Sequence, residues 1–250
     1  MTISSLNIDS SEIIQHLKIS YQLPEILQAI ASQKVIAQAA EEAGITVTPE
    51  EIQQAGDNFR LTKKLVKAQD TLTWLEKHHL SEHDFEASIC NQILAKKLAN
   101  HLFASQVEKF FYQHQLDYVT AVTYQVIFDD RDVALEIFYA IEEGEITFPD
   151  IARMYIKEPE QRSMYGYQGV QHRKDFRPEI AAIVFAATPP QIIKPITTPK
   201  GVYLIWVEEI NQATLNEDLR EKIITELFSE WLKQKTQGLK IFTQLKSDAN

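Results

Sequence analysis

"TTPKGVYLIWVEEI", residues 197–210, decides how the second half of the chain is read. Pro199, Lys200 and Gly201 break the backbone, and the apolar and aromatic run behind them ends in acids, which predicts a turn leading into a strand. Working outward, "QIIKPIT" (191–197) predicts the strand before that turn, and "RPEIAAIVFAA" (177–187), "TFPDIARMY" (147–155) and "DRDVALEIFYAIEEG" (130–144) predict helices. "YVTAVTYQVIF" (118–128) is rich in β-branched and aromatic residues and predicts a further strand. The order β, α, α, α, β, β predicts an α+β domain with a mainly antiparallel sheet over residues 117–211.

Both flanks read as helix. "SSEIIQHLK" opens with a Ser cap, and "PEILQAIASQKVIAQAAEEAG" sets Ile26, Ile30, Val35, Ile36 and Ala39 on one stripe and stops at Gly44. Thr48 and Pro49 start the next helix, Ser81 caps "EHDFEASICNQILAKKLANHLF", and Ser105 with Glu108 forms a capping-box pattern. After residue 211 a long amphipathic helix repeats apolar residues at Leu219, Ile223, Leu227, Trp231, Phe242 and Leu245. A lone apolar stripe must pack on another element, so residues 212–250 are expected to pack on a helical module formed by residues 1–116. The domain over 117–211 then stands as an insert in a helical body built from both chain ends.

Composition narrows the function. With 44% hydrophobic and 24% charged residues, the 250-residue chain has the balance of a folded protein. A formal net charge of -10 without a basic cluster disfavours nucleic acid as a partner. No run approaches the roughly 20 apolar residues of a membrane helix, so membrane insertion is not expected. The start lacks the pattern of a secretory leader, which predicts a cytoplasmic protein. The single cysteine, Cys90, reads as a small hydrophobe on a helix face.

Familiar catalytic patterns are missing. His78, His79 and His83 are interrupted by the cap at Ser81 and lack a second ligand cluster, so no metal is expected. "GYQG" (166–169) has neither the spacing nor the lysine of a phosphate loop, and no cofactor is called for.

The order of elements over about 90 residues resembles the parvulin family of peptidyl-prolyl isomerases. Phe148, Ile151 and Ala152 match its second helix, Gly166 and Gly169 match its glycine turn in part, and Ile180, Phe185, Pro195, Thr198 and Gly201 match the rest. With the helical flanks included, the chain is similar to the SurA and PrsA chaperones. The resemblance implies a fold of a SurA/PrsA-like helical chaperone module with an inserted parvulin-like α+β domain. It also implies unfolded or proline-containing polypeptide as partner, with export machinery as a further possible partner.

The resemblance places a proline cradle at Phe176 and Ile180, with Phe185 underneath. Ile180 reads equally as an ordinary core residue, and Phe185 reads better as one. The family's two strand histidines fall at Gln125 and Tyr203, its acidic or cysteine position falls near Glu158, and Thr198 keeps its hydroxyl. Gln125 and Tyr203 are able to pair by a hydrogen bond across adjacent strands. Three readings stay open: a polypeptide binder whose isomerase domain is weak or degenerate, an active isomerase using Gln125, Glu158, Thr198 and Tyr203, or a dedicated escort for an exported peptide.

Overall fold

Capping side chains set the helix starts in the first hundred residues. The computed structural model describes residues 6–243 and divides the chain into two units. The first takes the residues up to Val107 together with those from Glu217 onward. It contains α1 (Ser10–Ile19), α2 (Leu23–Glu42), α3 (Pro49–Thr62), α4 (Ala68–Lys77), α5 (Glu82–Phe103) and α12 (Glu217–Thr236). Thr48 with Glu51 and Ser81 with Asp84 form reciprocal capping boxes, satisfying N–H groups that a helix start leaves free. α1 is capped by Asp9 rather than Ser10, because the Asp9 carboxylate accepts from both the Ser11 and Glu12 N–H groups. Ser105 lies within a 3-10 turn over Ala104–Gln106 that follows α5, and α6 (Val107–Gln113) continues directly from it.

α5 is the spine of this unit and packs on α2, α3 and α12, while α12 also packs on α2. Ala40, Leu98, Ile223 and Ile224 are buried. Lys96 pairs with Glu221 at 3.0 Å between α5 and α12, and Lys97 reaches Glu51 at 2.6 Å and the Thr46 carbonyl at 2.8 Å. Phe59, Trp74 and Phe85 meet edge to face, which ties α3, α4 and α5 together. The apolar stripe on α2 is only partly covered, since Ile26 and Ile30 stay exposed. The C-terminal helix is shorter than its sequence pattern: it stops at Thr236, Phe242 lies beyond it and is exposed, and Leu245 is outside the described residues.

The second unit spans Glu108–Asn216. Its elements after α6 are α7 (Gln115–Tyr118), β1 (Thr120–Phe128), α8 (Arg131–Glu142), α9 (Phe148–Tyr155) and α10 (Pro159–Ser163). They continue with β2 (Tyr167–His172), α11 (Pro178–Val184), β3 (Gln191–Thr198) and β4 (Gly201–Asn211). The strands form one antiparallel sheet in the order β2-β1-β4-β3. β3 is an edge strand with an irregularity between Ile193 and Ile196, which is where Pro195 is tolerated.

Alternation along the central strands feeds two cores. Val126, Phe128, Val202 and Leu204 face α8 and α9, with Phe138 and Ile151 filling that layer. Tyr203, Ile205, Val207, Ile193 and Ile196 face the other way and pack with Ile180 and Val184 of α11. The tight β3–β4 connection needs Gly201: its φ is +125°, and a Cβ there would lie 2.7 Å from Ile127 Cγ2 and 2.9 Å from the Phe128 carbonyl oxygen.

Two outcomes test the helical unit. Ile223→Ala should destabilise it by about 2–5 kcal/mol, the usual cost of truncating a buried isoleucine, read from urea denaturation. The Lys97 ammonium, then the Thr48 N–H, holds the Glu51 carboxyl below its ordinary value. A depressed carboxylate contributes stability that is complete above its unfolded pKa and is lost as pH falls through the lower folded one. Glu51→Gln should therefore reduce helix stability at neutral pH and flatten the acid limb of a far-UV circular dichroism titration.

Candidate peptide-binding site

α11 covers β3 and β4 on its face of the sheet, and β2 pairs with β1 only as far as Tyr124. The far end of β1 is thereby left open. A cavity of about 450 Å³ lies there, and its walls include Gln125 and Ile127 of β1, Val133 of α8, and Ile156, Glu158 and Gln161 from the segment after α9. Gln168 of β2 completes it, and Asp129, Asp130 and Lys157 add charge.

Backbone contacts set this geometry. The Gln125 N–H donates to the Gly166 carbonyl at 2.9 Å, which anchors the start of β2 against β1. Gly166 has φ +80°, and a Cβ at that position would sit 2.3 Å from the Gln125 carbonyl oxygen. α10 ends at this anchor, where the Gly166 N–H donates back to the Gln161 carbonyl. The Gln168 side-chain amide donates to the Gly166 carbonyl at 2.9 Å and to Gln161 Oε1 at 3.3 Å, so two of the wall amides are held in register. Glu158 is the N-cap residue of α10, and the Asp130 carboxylate accepts from the Asp132 N–H at the start of α8.

The seven site residues expected from sequence do not converge on one place. Gln125 and Glu158 line the cavity. Tyr203 is 8% exposed and packs in the α11-facing core with Ile180, beside the partly buried Phe176 and Phe185, whose rings meet edge to face at 5.7 Å. Thr198 sits at the β3–β4 turn, where its hydroxyl donates to the Gly201 carbonyl at 3.0 Å and accepts from the Lys200 N–H at 3.1 Å. The expected hydrogen bond between Gln125 and Tyr203 is not formed. The register pairs Gln125 with Ile205 and Tyr203 with Ile127, so the two share a sheet face but are offset diagonally.

Gln161, Gln168 and Ile127 are wall residues that sequence reasoning missed. A polar residue between the two glycines of "GYQG" was the one available signal for Gln168, and nothing local marks Gln161. The histidines of "HHLSEH" are far from a ligand set: His78 stacks on Trp74 at 4.1 Å, and no metal-binding group occurs among the described residues.

Chemically, the cavity combines apolar surface with neutral side-chain amides. Amides donate and accept at once and do not titrate, so they suit the N–H and C=O groups of an extended chain. No imidazole lines the cavity. Gly166→Ala should cost at least about 2 kcal/mol, since it adds a clash and a strained positive φ, and should broaden the amide resonances of 156–168 in a 15N–1H spectrum. An unchanged melting midpoint would contradict this account of the wall.

The chain has counterparts among known proteins. Residues 102–219 match the family described as the PPIC-type PPIASE domain. The foldase protein PrsA of Caldanaerobacter subterraneus subsp. tengcongensis is 21% identical over 220 residues, covering 83% of this chain and 67% of the relative. The crystal structure of peptidylprolyl isomerase (PrsA) from Bacillus anthracis aligns with TM-score 0.50 at 18% identity, over 87% of this chain and all of that one. Its Bacillus cereus counterpart aligns with TM-score 0.50 at 17% identity, over 98% and 93% of the two chains. The strand order and the glycine turn lie inside the matched stretch, so residues 102–219 form a domain of the PPIC-type PPIase family, and the chain as a whole is similar to the PrsA foldases in fold.

Proposed function

We propose that this protein holds extended or unfolded polypeptide and that its parvulin-type domain isomerises prolines weakly or not at all. The observation that carries the reading is the split of the expected site. At the position of the last-strand histidine, Tyr203 is buried in the core, while the open cavity beside Gln125 offers amides, carboxylates, one lysine and the Tyr155 phenol as its polar side chains, and no imidazole. The barrier to rotation about an X-Pro bond, about 20 kcal/mol, comes from amide resonance. A catalyst must bind the twisted, less conjugated amide better than the planar one. That requires placed groups around one proline. Here the Thr198 hydroxyl is engaged by its own turn, and the apolar side chains around Ile180 pack with one another. Binding an extended chain asks for less: apolar surface plus donors and acceptors that accept many sequences.

An aggregation assay with an unfolded client protein and an NMR exchange measurement on a short X-Pro peptide separate the readings. The expected outcome is aggregation that falls as the protein is added, with proline exchange little changed at high protein concentration. Absence of client protection sinks the proposal.

The alternative, an active isomerase with a site free of histidine, has in its favour that Gln125 and Glu158 line one cavity. It requires exchange catalysis that Gln125→Ala reduces at least about tenfold, roughly the loss of one transition-state hydrogen bond. Service as an escort for one exported peptide, together with export machinery, is the narrower form of the binding proposal. Recovery of many unrelated clients in a pull-down would exclude it.

A further inference from the structure

The walls of the cavity beside Gln125 combine two chemistries. Ile127, Val133 and Ile156 are aliphatic, while Asp129, Asp130 and Glu158 are carboxylates set against Lys157, a net of -2 from three acids and one lysine. The β1–α8 connection and the segment after α9 each supply part of that charge. No ion pair among the described residues engages any of the three carboxylates. Asp130 gives one oxygen to the Asp132 N–H at 2.7 Å, and Glu158 stands at the N-cap of α10 without a side-chain cap bond. Two further groups point to the same kind of ligand. The Gln168 amide nitrogen donates to the Gly166 carbonyl and to Gln161 Oε1, so what this side chain has left to offer is its oxygen, an acceptor. Tyr155 lines the cavity next to Phe128, with ring centroids 4.9 Å apart, and stays 41% exposed; an accessible aromatic ring attracts a cation over its face.

We infer that this cavity takes a lysine or arginine side chain of the bound polypeptide, so that basic residues mark the segments held there. The inference rests on the reading of the cavity as a polypeptide site and adds the class of residue that it selects. A basic side chain has an apolar stem and a charged head. The walls offer both halves of the match, with aliphatic surface for the stem and carboxylates, an amide oxygen and a phenol ring for the head. A guanidinium has donors in a fixed fork and no acceptor, and it meets a carboxylate through two parallel bonds, so arginine is expected to bind better than lysine. An acidic side chain would face a wall of its own sign, and a neutral one would leave the carboxylates to water. Asp129, Asp130 and Glu158 are exposed, so each contributes modestly and the attraction is screened by salt. The selection therefore comes from the three acting together with the ring and the amide.

Fluorescence anisotropy of the full chain with labelled extended peptides of Ala, Val and Pro, differing only in a central Arg, Lys, Gln or Glu, tests the assignment. The Arg and Lys peptides should bind at least about fivefold more tightly than the Gln peptide, the Glu peptide should bind least, and the gap should narrow as salt is added. Asp129→Asn with Glu158→Gln should bring the Arg and Gln peptides within about twofold of each other, and Glu158→Lys should shift the preference toward the Glu peptide. Asp130 is left in place because it caps α8, and the far-UV spectrum of each variant checks that the fold is kept. General attraction to a chain of formal charge -10 is the competing cause. Glu41→Gln with Glu42→Gln removes the same amount of charge from α2 and should leave the preference as in the wild type. Equal binding of the four peptides overturns the inference, as does a preference that the Asn and Gln pair leaves intact or that the α2 pair abolishes. Charge-blind peptide binding with client protection retained would sink this inference alone, whereas loss of both peptide binding and client protection would sink the polypeptide-holding proposal with it.

Discussion

The pairing of β1 with β4 is the constraint on which the second unit depends. From Thr120 opposite Asn211 to Phe128 opposite Val202, two strands far apart in sequence are joined along their whole length. Each strand contributes alternate residues to both cores, so a slip of one position would send Leu204 and Tyr203 to each other's faces. The other elements attach to this pair: β2 to the outer side of β1, β3 to the outer side of β4, α8 and α9 to one face, and α11 to the other. Non-local pairing of this kind must overcome loop-closure entropy before burial rewards it. The short β3–β4 connection helps by making at least one of the pairings local.

The same pairing explains where the cavity is. α11 has seven residues and covers only the β3 and β4 half of its face. β2 is six residues long and stops alongside Tyr124, leaving the last part of β1 without a neighbour on that side. The segment 156–168 fills the space incompletely, and what it fails to fill is the cavity beside Gln125. A site of this origin is a by-product of unequal strand lengths. Its chemistry then depends on which side chains the covering segment presents, and here those are Gln161, Gln168, Glu158, Lys157 and Ile156.

Much of the architecture was legible in the sequence because strong local signals agreed with the tertiary outcome. The caps at Thr48 and Ser81, the break at Pro199–Gly201 and the β-branched run of β1 each satisfy a local rule and a global one. β2 escaped notice because "YQGVQH" carries a glycine and polar residues where a half-buried strand alternates, and the strand lies at an edge with no residue fully buried. Ser105 follows a capping pattern and lies in the 3-10 turn between the end of α5 and the start of α6. Ile26 and Ile30 followed the helical period yet stay exposed, since a periodic stripe shows that a face is apolar and not what covers it.

The candidate site was less legible for a reason specific to strands. Alignment by pattern places a residue along a strand, but whether it meets solvent depends on what packs over that stretch of the sheet. Gln125 and Tyr203 share a face and are offset by one diagonal step, yet one lines a cavity and the other is core. The difference is made by α11, whose Ile180 and Val184 press on Tyr203 while nothing equivalent lies over Gln125. A histidine in place of Tyr203 would have to hold a polar ring against Ile180, Ile196 and Ile205, which is costly unless the ring has a partner. Tyrosine gives that same pocket apolar area from its ring. The residue that fits the core best is thus one without the imidazole of the catalytic pattern, and packing and catalysis place opposite demands on this single position.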